Sequence, residues 1–358
     1  MSYKILSLSN KQEWKDYLNK LPLEQQDVYY TPEYYSLYEN YGDGKAECFV
    51  FEKDGEIALY PFLINSINKL GYELDKEYYD IQGAYGYNGV VSSSYNSDFI
   101  ESFYNAFQKY CNENNIIVEF SRFHPLLENQ LFSSSHLNVI FDRPTVYINV
   151  NKPEKELWSD LQKTTRKQIN RCYKRYQVKV ELFEKNEFDL NTFTNVYWES
   201  MKRVESNKYL FFNEKYFKQL LNQPNTIQYI ASIDDIPIST IIAIKGKRIL
   251  HGHLGGTIKE YLNISPFSML YWEMIKTAKK ESLDFVHVGG GNTTKKDDKL
   301  LSFKKHFSNL QEDFFIGKKI YNQIIYDEII NQWKIKHTKS YKNNSKKILG
   351  YRYLMNYE

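Results

Sequence analysis

Apolar residues recur at every second position in three consecutive runs, Thr226 to Ile233, Ile238 to Lys245 and Lys247 to Leu254, separated by Asp234-Asp235 and Lys245-Gly246. Period two marks a buried or half-buried strand and the intervening pairs supply turns, so the pattern predicts a three-strand meander. The period then changes. Phe267, Leu270, Tyr271, Met274, Ile275 and Ala278 share one helical face, Pro266 suits the first helical position, and Ser265 stands where an N-cap hydroxyl would accept a backbone N–H. A short strand, Asp284 to Val288, follows. After it come the loop Gly289-Gly290-Gly291-Asn292 and a second helical segment, Leu300 to Phe307.

A similar series precedes this one. Residues 1 to 45 are polar and helix-rich, with Thr31-Pro32-Glu33 reading as a helix start. Cys48 to Lys53 and Ile57 to Ile64 read as a hairpin around Asp54-Gly55. Gly83, Gly86 and Gly89 break the pattern, Asp98 can cap a helix that buries Phe99, Phe103, Phe107 and Tyr110, and Ile116 to Phe120 is a buried-type strand. Hairpin, helix and strand thus return later in the same order. The expectation is an internal duplication of one α/β unit, with the cleft between copies as the binding site. The corresponding domains are 1–145 and 146–317, followed by a basic segment, 318–358, whose Ile348, Leu349, Tyr351, Tyr353, Leu354 and Met355 imply that it docks back on the first domain.

Between the copies, Leu157 to Tyr176 reads as one regular helix. Leu161, Thr165, Ile169, Cys172 and Tyr176 form one face; Lys163, Arg166, Lys167, Arg171, Lys174 and Arg175 form the other, with no acid after Asp160. Such a face is either simply solvated, or a ledge for phosphates or a membrane surface. Charge sharpens the picture. Residues 1 to 150 carry 11 basic against 21 acidic side chains, whereas residues 151 to 358 carry 36 against 23, so the second part would attract an anion.

A chain of 358 residues with 42% hydrophobic side chains can build two cores. Met1 to Lys20 lacks the apolar centre of a signal peptide, and no apolar run is long enough to span a membrane. The three cysteines, Cys48, Cys111 and Cys172, form no C-x-x-C pair and read as structural residues of a reducing compartment. The expected location is cytoplasmic, with peripheral contact at the inner face of the membrane.

Several chemistries are set aside. The glycine run before Asn292 lacks the Gly-Lys-Ser/Thr of a phosphate-binding loop, and no G-x-S-x-G elbow is present. His251, His253 and His287 could approach one another on adjacent strands, but no carboxylate or thiolate is evident as a fourth partner, so a base or substrate-contact role for one of them is the reading and no metal is expected.

Leu157-Trp158 through Arg166-Lys167-Gln168-Ile169-Asn170-Arg171, then Val178-Lys179-Val180, resembles a segment of the Fem family of peptidoglycan aminoacyltransferases and their acetyltransferase-like (GNAT-fold) relatives. Tyr197, Ser200, Arg203 and Tyr216-Phe217 fall where that family has further motifs. Pro266, Leu270, Tyr271-Trp272, Ile275 and Ala278 resemble its central helix, Phe285 with Gly289-Gly290 its strand end, and Phe303-Lys304 with Phe307 its FK signature. The resemblance implies tandem duplicated GNAT-like domains in an α/β fold, and transfer of an aminoacyl group from aminoacyl-tRNA to the amine of a phosphorylated cell-envelope precursor, nucleotide- or lipid-linked, without a tightly bound cofactor. It implies a catalytic role for Lys304 beside Phe303. Of the strand histidines, His253 is the one read as a further base. Arg166, Lys163, Arg203, Tyr216, His251 and Trp272 are the residues expected to contact substrate. Where the family has Asp before the paired glycines, this chain has His287. Without the motif, Lys304 would read as a surface lysine on an amphipathic helix.

Two other readings compete. An acyl-CoA-dependent N-acetyltransferase on the same fold would hold the diphosphate on a Q/R-x-x-G-x-G/A turn before the central helix, and the stretch Gly255 to Ser265 lacks that spacing. A non-catalytic binder of nucleic acid or membrane would be indifferent to Lys304 and steeply sensitive to salt.

Overall fold

Asp54 and Gly55 both take positive φ, 54° and 85°, which is what a two-residue hairpin turn requires. They join β2 (Lys45–Lys53) to β3 (Glu56–Ser66). The computed structural model describes residues 2–184, 187–295 and 297–354, and these fall into two units, Met1–Asp142 with Phe314–Glu358, and Arg143–Asp313.

In the first unit β1 (Ser2–Ser7) lies on the outer edge of β2, and β3 continues to β4 (Tyr79–Gln82) and then β6 (Ile116–Arg122); β5 (Val91–Ser92) pairs β3 separately. All these neighbours are antiparallel except β4 and β6. The helices are α1 (Lys11–Lys20), α2 (Pro32–Tyr41) and α3 (Ser97–Glu113). Phe99, Phe103 and Phe107 of α3 pack on Phe49, Phe51 and Tyr60. Thr31 caps α2 as the sequence implies, its hydroxyl accepting the Tyr34 N–H. The cap of α3 is Asn96 instead of Asp98: the Asn96 side-chain Oδ1 accepts the N–H groups of Asp98 and Phe99, and Asp98 is the second residue of the helix, within its first turn.

The second unit has β7 (Asn138–Asn149), β8 (Lys179–Glu184), β9 (Thr226–Ile233), β10 (Ile236–Lys245), β11 (Ile249–Thr257) and β12 (Phe285–Gly290). Its order is β8-β9-β10-β11-β12-β7, antiparallel except between β11 and β12. Helices α4 (Glu154–Asp160), α5 (Lys163–Lys174), α6 (Leu190–Arg203), α7 (Glu214–Leu221), α8 (Pro266–Lys280) and α9 (Lys299–Lys304) accompany it. The core gathers Leu270, Met274 and Ile275 of α8 with Tyr229, Ile241 and Leu250 of the sheet.

The chain then returns as β13 (Gln311–Ile320), whose Ile316 to Ile320 pair antiparallel with β6. Each unit therefore repeats one pattern, four strands joined by antiparallel pairing, a parallel step and an antiparallel last strand. That last strand follows the other unit in sequence: β7 comes after β6 but pairs β12, and β13 comes after β12 but pairs β6. Beyond β13, α10 (Gln323–Lys336) and α11 (Thr338–Asn344) bury Ile329 and Trp333 against Ile67, Tyr72 and Val118. The end is pinned by charge as well: Arg352 Nε donates to Asp80 at 2.9 Å within a buried ion pair. Met355 lies outside the described residues.

The stretch expected as a single helix from Leu157 to Tyr176 is two. Leu161 and Gln162 are extended, with ψ of 143° and 144°. Arg166 stabilises the break by donating to the carbonyls of Ser159 and Leu161, the unsatisfied oxygens at the end of α4. Ser265 also differs from expectation: it takes the left-handed conformation, φ 62°, and its hydroxyl caps nothing. Cys48, Cys111 and Cys172 are buried and free. No described helix is long and apolar enough to cross a membrane.

Candidate active site

Asp298 sets the geometry at the end of β12. It is the N-cap of α9, one carboxylate oxygen accepting the Leu301 N–H at 2.9 Å and the other the Thr293 N–H and hydroxyl at 2.9 and 3.0 Å. Burial pushes this carboxyl up, and the N–H groups of Leu301 and Thr293 more than reverse it, so it stays below the usual carboxylate range. The glycine loop is built for this contact. A Cβ on Gly291 would stand 2.4 Å from Asp298 Oδ1.

The short helix that Asp298 caps ends on Lys304, whose side chain is 8% exposed. Its Nζ donates to the carbonyl of Gly290 at 2.6 Å. Gly289 beside it has φ 74°, and a Cβ there would approach Nζ to 3.4 Å. Arg143, on β7, donates from Nη1 to the next carbonyl, Gly291, at 2.8 Å. Burial pushes the Lys304 ammonium down to about 7; Asp298 opposes the drop and Arg143 adds to it. An amine in this state exchanges a proton near neutrality, which an exposed lysine does not.

Phe303 turns to the other side of α9. It stacks on Tyr271 of α8 with ring centres 5.9 Å apart and contacts Phe307 at 5.4 Å, so the aromatic pair fixes α9 against the central helix. Trp272 is a core residue, 5% exposed and edge-on to Trp158 at 5.0 Å.

A second group of residues lies along β11. His251 is buried and in register with His287 of β12, their rings 5.6 Å apart. His253 Nε2 is 3.4 Å from the hydroxyl of Tyr216 on α7, and Tyr216 stacks on Phe212 at 4.1 Å. Burial, then the neighbouring His251, lower His253 to about 3, so it is neutral at physiological pH and either ring nitrogen can serve as acceptor. Arg203, at the end of α6, donates to the Ser200 hydroxyl at 2.9 Å and to the Thr257 carbonyl at 3.4 Å.

Of the basic ledge, Lys163 is exposed at the first position of α5, whereas Arg166 is engaged with the α4 carbonyls. Arg171 and Cys172 donate to the carbonyls of Asn263 and Ile264 at 2.7 and 3.2 Å, which pins the turn before α8 under α5. The structure thus gathers Phe303 and Lys304 on α9, and His251, His253, Tyr216 and Arg203 along β11, while Trp272 and Arg166 sit in structural contacts. Arg143 and Asp298 were not singled out from sequence. Asp298, two residues before the apolar pair Leu300-Leu301, could have been read as a helix start; Arg143 is 148 residues from its partner and gives no local signal.

Residues 159–300 match the family model described as an acetyltransferase (GNAT) domain. No curated protein matches the sequence. Among solved structures, FemX superposes with a TM-score of 0.67 at 14% identity, covering 91% of this chain and 99% of that one. L-PGS from Bacillus licheniformis gives 0.56 at 11% identity over 89% and 94% of the two chains. A tandem GNAT protein from the clavulanic acid biosynthesis pathway, without AcCoA, gives 0.53 at 6% over 90% and 98%. At these identities the likeness is one of fold.

Proposed function

We propose that this protein is an acyltransferase that forms an amide on an amine of a phosphorylated cell-envelope precursor, drawing an aminoacyl group from aminoacyl-tRNA; the match of residues 159–300 to an acetyltransferase (GNAT) domain model and the likeness of the fold to tandem GNAT structures support this reading. The observation that carries this reading is the buried amine of Lys304, held at the end of β12 with a pKa near 7. In the reaction the acceptor nitrogen attacks the ester carbonyl, the C–N bond forms, and the ester C–O bond breaks to release the sugar hydroxyl. The attacking nitrogen sheds a proton. Neutral Lys304 accepts it and returns one to the departing alkoxide, so the amine ends each turnover as it began. Phe303 positions α9 for this, and His253 with Tyr216 supplies acceptor and donor groups to substrate along β11.

The donor assignment is supported by the turn before α8. It is a 3-10 segment, Lys259–Ile264, with Asn263 and Ile264 committed to α5, and it lacks the glycine spacing of a diphosphate cradle. Lys163 and the other exposed bases of α5 would then meet phosphates of the donor or acceptor. The resemblance to the Fem family supports the envelope acceptor. Peripheral contact with the inner membrane face belongs to the same reading. The test is direct: purified protein is mixed with acceptor amines and either pooled radiolabelled aminoacyl-tRNA or acetyl-CoA. Amide product from the tRNA pool alone is expected; product from acetyl-CoA alone would replace the donor, and product from neither would remove the proposal.

A further inference from the structure

Glu119, on β6, lies fully buried in the core of the first unit, where the proposed reaction makes no use of it. The hydroxyl of Tyr321, the residue that follows β13, donates to its Oε2, while Oε1 has no hydrogen-bond partner. Cys111 and Tyr104 of α3 and Tyr60 of β3 stand around the carboxyl, all buried. The Tyr60 and Tyr104 hydroxyls bond Ser121 and Ser133 instead, at 2.7 and 2.6 Å. Phe107 closes the space, its ring 5.1 Å from that of Tyr60 and 6.4 Å from that of Tyr321. The cation on this face is Lys319, directly opposite Glu119 in the β6–β13 register. Among the described residues it forms no ion pair with the carboxyl, and its Nζ lies over the Tyr321 ring at 5.1 Å.

A carboxylate oxygen taken out of water and given no donor is costly, whereas a protonated carboxyl brings no charge into the core. Burial accordingly drives Glu119 up to about 7, against the Tyr321 hydroxyl and the Lys319 ammonium, which both favour the ion. The place of this group in the fold gives its charge a consequence. Its polar contacts are with β13 and the residue after it, and β13 follows the second unit in sequence yet completes the sheet of the first. Ile316 to Ile320 are held there by main-chain pairing and Tyr321 by its N–H on the Ile117 carbonyl at 2.7 Å; α10 and α11 come directly after.

We propose that Glu119 is a proton-operated clasp on β13: protonated, it seats Tyr321 and the strand before it in the sheet of the first unit, and ionised, it loosens them. The device is independent of the donor and acceptor assigned to the second unit. Linkage fixes the sign. The unfolded carboxyl gives up its proton near 4.5 and the folded one near 7, so between these values the folded state binds more protons. The stabilisation is full below the lower value, falls as pH rises, and is gone above the upper one.

The experiment is urea denaturation of the full chain, wild type beside Glu119→Gln, from about pH 5 to 8, with amide hydrogen exchange at about pH 8. The unfolding constant of wild type is expected to rise relative to that of the variant on the order of a hundredfold across this range, most of it before about pH 7.5. Lys319→Met removes a charge that favours the ion and is expected to carry the change to higher pH. The amides of Ile316 to Ile320 are expected to exchange at least about tenfold faster in wild type than in Glu119→Gln, and those of β9 in the second unit within about twofold. Wild type alone gives a direct reading: the infrared band of a protonated carboxyl is expected to persist at about pH 6 and to vanish by about pH 8. A constant ratio of unfolding constants, equal exchange of β13 in the two proteins, or a carboxyl already ionised at about pH 6 overturns the clasp and leaves Glu119 an inert core residue.

Discussion

Lys304 Nζ, on the last residue of α9, lies 2.6 Å from the carbonyl oxygen of Gly290, the last residue of β12. A lysine so placed makes a hydrogen bond in either protonation state, while its surroundings disfavour the charge. Stability should reveal this. The unfolded chain keeps the proton up to about pH 10.4, and the folded chain gives it up near 7. Between those values the unfolded state binds more protons, so the contribution of this group to stability rises with pH and is lost as pH falls through 7. Urea denaturation of wild type and Lys304→Met from pH 6 to 9 is expected to show the variant gaining relative to wild type at the acid end, on the order of a few kcal/mol, and the gap closing toward pH 9.

The two charged neighbours should move the activity in opposite directions. Asp298 raises the Lys304 pKa and Arg143 lowers it. Asp298→Asn keeps an acceptor for the Leu301 N–H and removes the charge, so the acid limb of the rate profile is expected to shift to lower pH. Arg143→Gln is expected to shift it to higher pH. The pH dependence of kcat for both variants checks the signs.

Gly291→Ala tests the loop itself. With Asp298 Oδ1 2.4 Å from the added carbon, the cap and the methyl group cannot both keep their places. A loss of roughly 1–3 kcal/mol in stability is expected, from a displaced cap and a strained loop, together with a fall in kcat larger than that of any Lys163 variant.

Trp272 separates a structural role from a substrate contact. Its ring is buried against Trp158, and Trp272→Ala is expected to cost about 3–5 kcal/mol in chemical denaturation, whereas Trp272→Phe should retain KM within about twofold, a small change on the free-energy scale of binding. A large rise in KM for the Phe variant with stability unchanged would return Trp272 to the substrate site.

Much of this was legible in the chain. The alternation from Thr226 onward, the Asp54-Gly55 turn and the apolar stripe of α8 each state a local rule that the fold obeys, because burial and turn geometry act over a few residues. The break at Leu161-Gln162 was hidden since the apolar spacing continues across it, and only the return of Arg166 to the α4 carbonyls shows why the helix stops. Ser265 follows the statistics of capping residues but not its chemistry, having taken a left-handed conformation instead. The exchange of last strands was invisible for a further reason: consecutive strands usually pair, and here β7 and β13 each pair away from the strand before them. The site suffers most from such distance. Phe303-Lys304 could be found by resemblance, but the state of Lys304 depends first on its burial and then on Asp298 and Arg143, and only the fold brings these together.

The measurement that bears most directly on the account is the pH–rate profile of acyl transfer by wild type and by Lys304→Met, at saturating donor. Transfer is expected to rise with pH through an apparent pKa near 7, as the Lys304 amine becomes free to take the proton, and the Met variant to lose about two orders of magnitude together with that limb. A Met variant that keeps the wild-type rate, or a wild-type rate that falls as pH rises through 7, would contradict the assignment of Lys304 as the proton acceptor.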